Sequence, residues 1–245
     1  MTSAAPHRFI TFEGIDGSGK STQARWLAER LSTHGQDVYL TREPGAAPGT
    51  VEEASILRDL ILKPTSEASG ERLFDDPVTE TLLHVAARQE HLRKAIRPRL
   101  ADGAWVVCDR FSDSTAAYQG GGGGVDPALL AALQHAVVGD MGPTLTILLD
   151  IDPGIAQQRL AVRDPSGVQD RYEARGQAFF ARIRATYLEI AAQEPERVVL
   201  LPADQPPEQL ADQIAALLWQ RFPDAGLPAA FCPPSVPPET GEGLG

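Results

Sequence analysis

The chain has 245 residues, which suits one large domain or two small ones, and its 42% hydrophobic content is ample for a buried core. A net charge of -11 repels nucleic acid from most of the surface, so a small anionic ligand is a better partner than a nucleic acid. No apolar run reaches about 18 residues and residues 1–7 lack a secretion signal, so we expect no membrane association and a cytoplasmic location.

Five apolar β-type runs alternate with stretches of helical apolar spacing. The runs are residues 8–13, 37–41, 105–109, 145–150 and 197–201. This alternation predicts an α/β fold with a five-stranded parallel sheet and helices on both faces. Because right-handed crossovers bring the carboxyl ends of all strands to one edge, we expect ligands at that edge.

The domain boundaries follow from composition. One domain is predicted over residues 8–222, after an N-terminal extension at 1–7. Residues 223–245 are rich in Pro and Gly and are predicted to form a disordered tail. The run of glycines at 120–124 is predicted to be a mobile loop.

The first predicted strand ends in a phosphate-binding motif. The sequence from Gly14 to Ser21, G-I-D-G-S-G-K-S, fits G-x-x-x-x-G-K-[ST] at every fixed position. Glycines let the backbone turn its N–H groups toward phosphate oxygens, Lys20 adds positive charge, and Ser21 offers a hydroxyl to Mg²⁺. A helix predicted from residue 21 to 31 points its positive end at the same anion. The predicted triphosphate-binding residues are Gly14, Ile15, Asp16, Gly17, Ser18, Gly19, Lys20, Ser21 and Thr22.

Three arginines are predicted to lie near the same edge of the sheet. Arg42 follows the second strand, in T-R-E-P-G, Arg110 follows the third, in D-R-F, and Arg88 lies in a helix predicted over residues 79–95. They can converge on one phosphate group, although surface ion pairs for Arg42 and Arg110, and a solvated helix face for Arg88, are alternatives. Glu43 can orient Arg42, contact Mg²⁺, or be a plain loop carboxylate.

Convergent arginines favour a monophosphate over a nucleoside as the phosphoryl acceptor. A nucleoside hydroxyl needs a general base before it attacks, whereas a phosphate oxygen already carries negative charge near pH 7. Two approaching polyanions repel each other, and fixed guanidinium groups together with Lys20 and Mg²⁺ offset that repulsion.

The motifs and their order resemble those of thymidylate kinases. The phosphate loop, T-R-E-P-G, the helical Arg, D-R-F-x-x-S-T-x-A-Y-Q-G and a late D-R-Y-E occur between Arg8 and about Arg221. The resemblance implies a P-loop nucleoside monophosphate kinase fold with a mobile lid at about residues 159–175. It also implies transfer of the γ-phosphoryl group of ATP, as co-substrate, to dTMP, in dTTP biosynthesis, with Mg²⁺ as cofactor and a homodimeric assembly.

The same resemblance implies roles for individual residues. Lys20 and Asp16 would be catalytic, with Asp16 at the sugar 3′-OH, and Ser21 and Asp109 would hold Mg²⁺, Asp109 through water. The residues implied to bind dTMP are Arg42, His84, Arg88, Arg110, Ser114, Thr115, Tyr118 and Gln119. At His84 the family commonly has a Phe that stacks on thymine, and a surface histidine is the alternative interpretation. The extra length between residues 46 and 76 receives no functional interpretation.

The phosphate loop carries Asp16-Gly17-Ser18 where some thymidylate kinases have an extra basic residue. The chain therefore resembles the type that supplies arginines from its lid. Arg163 and Arg171 would then close over the transferred phosphoryl group, as an arginine finger does. Arg159, four residues before Arg163, is either a third such arginine or a solvated helix charge.

Two other functions are compatible with a phosphate loop. A deoxynucleoside kinase would be favoured if Arg42 and Arg88 did not face the acceptor site. A regulatory GTPase would need the guanine-reading sequence N-K-x-D, which this chain lacks.

Overall fold

The structure, a computed structural model, describes residues 7–62, 74, 76–163 and 175–231. Five strands form one sheet in the order β2-β3-β1-β4-β5, and every neighbouring pair is parallel. The strands are β1 (Phe9–Glu13), β2 (Val38–Arg42), β3 (Trp105–Asp109), β4 (Leu145–Asp150) and β5 (Val198–Pro202). Each boundary lies within one residue of the predicted run, and the α/β prediction is confirmed.

Helices connect the strands and cover both faces of the sheet. Within the described residues they are α1 (Lys20–Thr33), α2 (Glu52–Leu62), α3 (Pro77–His91), α4 (Arg97–Ala101), α5 (Ser112–Thr115), α6 (Pro127–Val137), α7 (Pro153–Arg163), α8 (Gln177–Gln193) and α9 (Pro207–Arg221). π-helical turns at Leu92–Ile96 and Ala116–Gly122 extend α3 and α5. In this part of the chain no helix combines the length and apolar character needed to cross a membrane.

The alternation of side chains along β1 and β3 divides the core into two. Ile10 and Phe12 pack on one face with Trp105, Val107 and residues of α1, α8 and α9. Phe9 packs on the other face with Val106, Cys108 and the π-helical turn after α3. Both faces of the sheet are therefore buried, as expected for parallel strands.

The glycine run is helical and tightly packed, so the predicted loop is wrong over residues 120–122. A Cβ on Gly121 would lie 2.0 Å from Thr186 Oγ1, and one on Gly122 would lie 2.5 Å from Phe179 Cε2. These glycines let the turn Ala116–Gly122 approach α8 closely, so they serve packing there.

The chain also remains folded beyond α9. Two 3₁₀ turns, Pro223–Ala225 and Ala229–Phe231, bring Leu227 and Phe231 into the core, where Phe231 is 1% exposed. The disordered tail predicted from the Pro-rich composition therefore does not begin at residue 223, because two buried apolar side chains anchor residues 223–231. The rest of the predicted tail, residues 232–245, lies outside the described residues, as do residues 1–6 of the predicted extension.

Candidate active site

The phosphate loop joins β1 to α1 with three glycines in left-handed or otherwise positive φ: Gly14, Gly17 and Gly19, at 136°, 85° and 95°. A Cβ on Gly14 would lie 2.4 Å from the carbonyl oxygen of Leu149, so only glycine fits there. At the start of α1, the Lys20 side chain is buried, and its Nζ donates to the Ile15 carbonyl oxygen at 2.7 Å. Burial and the neighbouring Arg110 lower the pKa of Lys20 to about 8.

A cavity of about 180 Å³ opens beside this loop. Its lining residues are Asp16, Gly17, Gly19, Lys20, Ser21, Thr22, Asp109, Arg110, Arg159 and Leu160. Arg159, for which the sequence left a solvated helix charge as the alternative, lines this cavity. The Arg163 side chain and Arg171 lie outside the described residues, together with most of the predicted lid.

A second cavity of about 250 Å³ shares a wall with the first. Four residues line both cavities: Asp16, Ser21, Asp109 and Arg110. All eight residues that the sequence associates with the acceptor nucleotide line the second cavity: Arg42, His84, Arg88, Arg110, Ser114, Thr115, Tyr118 and Gln119. The topology explains this convergence, because Arg42 pairs with Asp109 in the β2–β3 register and both strands end at this edge.

Arg110 is held firmly at the junction of the two cavities. Its backbone has φ 69°, a conformation that is uncommon outside glycine. Its guanidinium donates to Asp16 Oδ1 at 2.6 Å and to the Tyr118 hydroxyl at 2.9 Å. Although burial opposes ionisation, Arg110 and Lys20 keep the pKa of Asp16 well below its usual range. Arg110 therefore forms a partly buried ion pair with the carboxylate of Asp16 in the phosphate loop, so the alternative of a surface ion pair is wrong.

Arg88 is only 3% exposed, which excludes the solvated helix face. Its Nε donates to Glu43 Oε2 at 2.8 Å, and its Nη2 donates to the Phe111 carbonyl oxygen and to Thr115 Oγ1. Although burial opposes ionisation, the charge of Arg88 lowers the pKa of Glu43. Glu43 thus orients Arg88, whereas the sequence suggested that it orients Arg42.

Glu13 is a buried polar centre that sequence reasoning missed. Its carboxylate accepts hydrogen bonds from the Phe111 backbone N–H at 2.7 Å, from Ser114 Oγ at 2.6 Å and from the Tyr187 hydroxyl at 2.8 Å. Burial and the nearby Asp113 raise the pKa of Glu13 to about 7. These bonds tie the loop after β3 and helix α8 to the end of β1. Their partners lie 98 to 174 residues away in sequence, so no local pattern signals them.

His84 lines the second cavity together with residues of the loop after β2 and of α2. The His84 side chain is only 11% exposed, and its Nε2 lies 4.0 Å from Glu80 Oε1. The alternative interpretation of His84 as a surface histidine is therefore wrong. Glu80 Oε1 also accepts from Gln119 Nε2 at 2.8 Å.

Arg58, which sequence reasoning did not select, also lines this cavity and donates to the Pro44 carbonyl oxygen at 2.5 Å. Burial and the charge of Arg42 lower the pKa of Arg58. The extra segment between residues 46 and 76 thus supplies α2 and a further cationic group at the cavity. The available signal was the position of Arg58, on a helix that follows the T-R-E-P-G loop.

Asp109 and Ser21 have the donor chemistry that Mg²⁺ prefers. Ser21 Oγ donates to Asp109 Oδ2 at 2.5 Å, while Asp109 Oδ1 is buried with no hydrogen-bond partner in the described part of the chain. A buried carboxylate oxygen without a partner is costly. A hydrated divalent cation beside the phosphate loop would satisfy it, so these residues fit the metal.

Fold and site together define a class of enzyme. A phosphate loop follows β1 of a parallel sheet, and an arginine-lined cavity meets it at the carboxyl edge. These are the features of a P-loop phosphotransferase of the nucleoside monophosphate kinase type.

Comparisons with known proteins define the family within that class. The family model for thymidylate kinase matches residues 12–214. The chain is 44% identical to a thymidylate kinase of Bradyrhizobium diazoefficiens, with 92% of this chain and 93% of the relative covered. It is 46% identical to a thymidylate kinase of Caulobacter vibrioides, over 87% and 97% of the two chains. The crystal structure of thymidylate kinase from Ehrlichia chaffeensis matches with TM-score 0.66 and 33% identity, covering 88% of this chain and all of the other. The chain belongs to the thymidylate kinase family, as its motifs predicted.

Proposed function

We propose that this protein transfers the γ-phosphoryl group of ATP to dTMP, giving ADP and dTDP, and so serves dTTP biosynthesis. The observation that carries the proposal is the shared wall between the two cavities, to which Asp16, Ser21, Asp109 and Arg110 contribute. A donor triphosphate on the phosphate loop and an acceptor monophosphate in the second cavity would then meet at Arg110. Holding two reactants in such a geometry removes much of the entropic barrier to their reaction.

The acceptor phosphate is assigned to Arg42, Arg88 and Arg110. Arg88 is buried, Arg110 is partly buried, and both are already oriented by Glu43 and Asp16, so little side-chain entropy is lost when they bind an anion. The thymine and deoxyribose are assigned to His84, Ser114, Thr115, Tyr118 and Gln119, with Asp16 at the sugar 3′-OH. This arrangement supports the monophosphate over a nucleoside, because Arg42 and Arg88 both line the acceptor cavity.

The donor ATP is assigned to the phosphate loop, with Lys20 on its terminal phosphates. Ser21 and Asp109 would hold Mg²⁺, which would supply charge neutralisation at the transferred phosphate. Arg159 adds a cationic group to the cavity beside the phosphate loop. From the sequence alone, we assign Arg163 and Arg171 to the lid. We place the protein in the cytoplasm on sequence grounds as well.

We also assign a homodimer to the protein. Helices α2 and α3 pack against each other and expose apolar side chains one turn apart on each helix: Ile56, Leu60, Val78 and Leu82. Leu82 and Ile56 are 49% and 54% exposed. Exposed apolar residues grouped on adjacent helices are characteristic of protein–protein contacts.

The test is a turnover assay with ATP and a panel of acceptors: dTMP, dUMP, dCMP and thymidine. We expect dTMP to be the preferred acceptor and dTDP to be its product, identified by chromatography. The Lys20→Ala variant, purified in parallel, controls for contaminating kinases. Faster turnover of thymidine than of dTMP would contradict the proposal and favour a nucleoside kinase.

A further inference from the structure

A buried chain of hydrogen bonds joins Arg88 and Glu43, which line the second cavity, to His91 and Thr41, which line neither of the two cavities. His91 is 0% exposed, and both of its ring nitrogens have partners. Nδ1 lies 3.1 Å from Glu43 Oε1, and Nε2 lies 2.8 Å from Thr41 Oγ1. The other oxygen of the same carboxylate, Glu43 Oε2, accepts from Arg88 Nε at 2.8 Å. We call Thr41, His91, Glu43 and Arg88 the His91 relay.

The chemistry of the partner defines the direction of the hydrogen bond at Nδ1. The Glu43 carboxylate carries no proton in its pairing with Arg88 and can only accept, so Nδ1 of His91 must be the donor. On the other side of the ring, Nε2 lies 2.8 Å from Thr41 Oγ1, which also accepts from the Ala47 backbone N–H at 3.0 Å. Both ring nitrogens of His91 and both carboxylate oxygens of Glu43 thus have partners in a buried site.

The relay determines how Arg88 presents itself to the cavity. Glu43 engages Nε, while Phe111 and Thr115 engage Nη2. For Nη1 the described part of the chain offers no hydrogen-bond partner, so this nitrogen can donate to an anion in the cavity. A guanidinium held on two sides can rotate little, but only if Glu43 is itself held. His91 supplies that restraint from the opposite side of the carboxylate.

We propose that His91 is a positioning residue for the acceptor phosphate: by donating to Glu43, it orients Arg88 in the second cavity. The inference rests on the proposed role of Arg88 as a ligand of the dTMP phosphate. Through Thr41, the relay also joins Arg88 on α3 to the end of β2 and the loop that follows it, where Arg42 and Pro44 line the same cavity. Loss of the bond at Nδ1 would leave a buried carboxylate oxygen unpaired and would free Glu43 to move.

The first test compares two substitutions of His91. His91→Leu removes both nitrogens, whereas His91→Asn keeps an N–H donor near the position of Nδ1. We expect His91→Leu to raise the KM for dTMP about tenfold and to leave the KM for ATP within about twofold, because only the acceptor arginine is displaced. His91→Asn should restore most of the dTMP affinity. Equal changes in both KM values, or no rescue by Asn, would overturn the proposal.

The second test asks whether His91 acts through Arg88. We expect Arg88→Met to raise the KM for dTMP, and the double variant Arg88→Met/His91→Leu to be no worse than Arg88→Met alone. Additive effects would overturn the relay. If Arg88→Met leaves the KM for dTMP unchanged, the proposed role of Arg88 fails and the relay fails with it. If Arg88→Met raises this KM and His91→Leu does not, only the relay fails.

A third pair of variants covers the case in which His91→Leu does not fold. Thr41→Val removes the hydroxyl that bonds to Nε2 and keeps the side-chain shape, while Thr41→Ser retains the hydroxyl. We expect a raised KM for dTMP in Thr41→Val and a wild-type value in Thr41→Ser. In the folded wild-type protein, ¹⁵N NMR of the imidazole should report a proton on Nδ1. An unprotonated Nδ1, or a wild-type KM in Thr41→Val, would contradict the relay.

Discussion

Arg110 shows how much the site depends on one residue. A side chain at φ 69° carries backbone strain, and such strain persists where surrounding contacts hold it. Here Asp16, Tyr118, Ser114 and the Gly14 carbonyl oxygen supply those contacts. The guanidinium is therefore aligned before any nucleotide binds, and Arg110 separates the acceptor cavity from the phosphate loop.

Replacing Arg110 by Ala should damage the use of dTMP far more than the binding of ATP. We expect a loss of about 2 to 4 kcal/mol in kcat/KM for dTMP, because a charged contact to phosphate is removed. Arg110→Lys should recover little of it, since a single ammonium cannot reproduce the guanidinium fork. Steady-state kinetics with each substrate varied separately measures both effects. An equal loss for the two nucleotides would reassign Arg110 to a general structural role.

The protonation of Lys20 should be visible in ATP binding. The pKa of about 8 lies below the usual value for lysine, so in the empty protein the ammonium charge is present below pH 8 and is lost as the pH rises through that value. Bound phosphates favour the charged form, so ATP affinity should fall about tenfold between pH 7.5 and 9.5. Titration calorimetry measures this fall. Lys20→Arg, whose charge persists over this range, is the control, and an equal fall in that variant would show that another group titrates.

At the scale of elements, local patterns predicted most of the fold. Each β-run carries enough apolar residues to identify it, and the phosphate loop is a contiguous motif, so the strands and the P-loop could be predicted. The eight residues that line the second cavity were selected through the resemblance to thymidylate kinases, which rests on contiguous motifs. Glu13, Arg58 and His91 were not, because their partners are remote: His91 bonds to residues 48 and 50 positions earlier. Composition alone also missed the packing of the glycine run and of residues 223–231.

The folded segment after α9 leads to a prediction about truncation. Phe231 packs edge-on against His34, with ring centroids 5.8 Å apart, and lies under Arg30, which also bonds to the Ala230 carbonyl oxygen. Ending the chain at Phe222 removes the buried Leu227 and Phe231 and should cost about 3 kcal/mol, or about 10 °C in Tm. Ending it at Phe231 should leave Tm and activity unchanged. Differential scanning calorimetry compares the two, and equal Tm values would show that residues 223–231 contribute nothing.

At the scale of the whole molecule, the exposed apolar face of α2 and α3 has a testable consequence. If this face joins two copies, the protein should sediment at twice the mass of one chain. Leu82→Arg should shift it to the monomer, because a charge cannot be buried there without a partner. Leu200→Arg, at a similarly exposed position on β5, is the control. Sedimentation velocity at micromolar concentration distinguishes the two, and a dimer that survives Leu82→Arg would place the interface elsewhere.

The chain as a whole has a net charge of -11, yet cationic groups are concentrated at one edge of the sheet. Arg42, Arg58, Arg88 and Arg110 line one cavity, and Lys20 and Arg159 line the other. A generally acidic protein with a cationic cleft attracts small phosphates and repels nucleic acid. The molecule thus concentrates its positive charge where two phosphate chains have to meet.

Calorimetric titration of the protein with dTMP and with thymidine tests this arrangement most directly. The two ligands differ only in the phosphate, so the ratio of their Kd values isolates the contribution of the cationic cavity. We predict that dTMP binds at least about 100-fold more tightly than thymidine, and that Arg88→Met removes most of the difference. Equal affinities for dTMP and thymidine would contradict the assignment of these arginines to the acceptor phosphate.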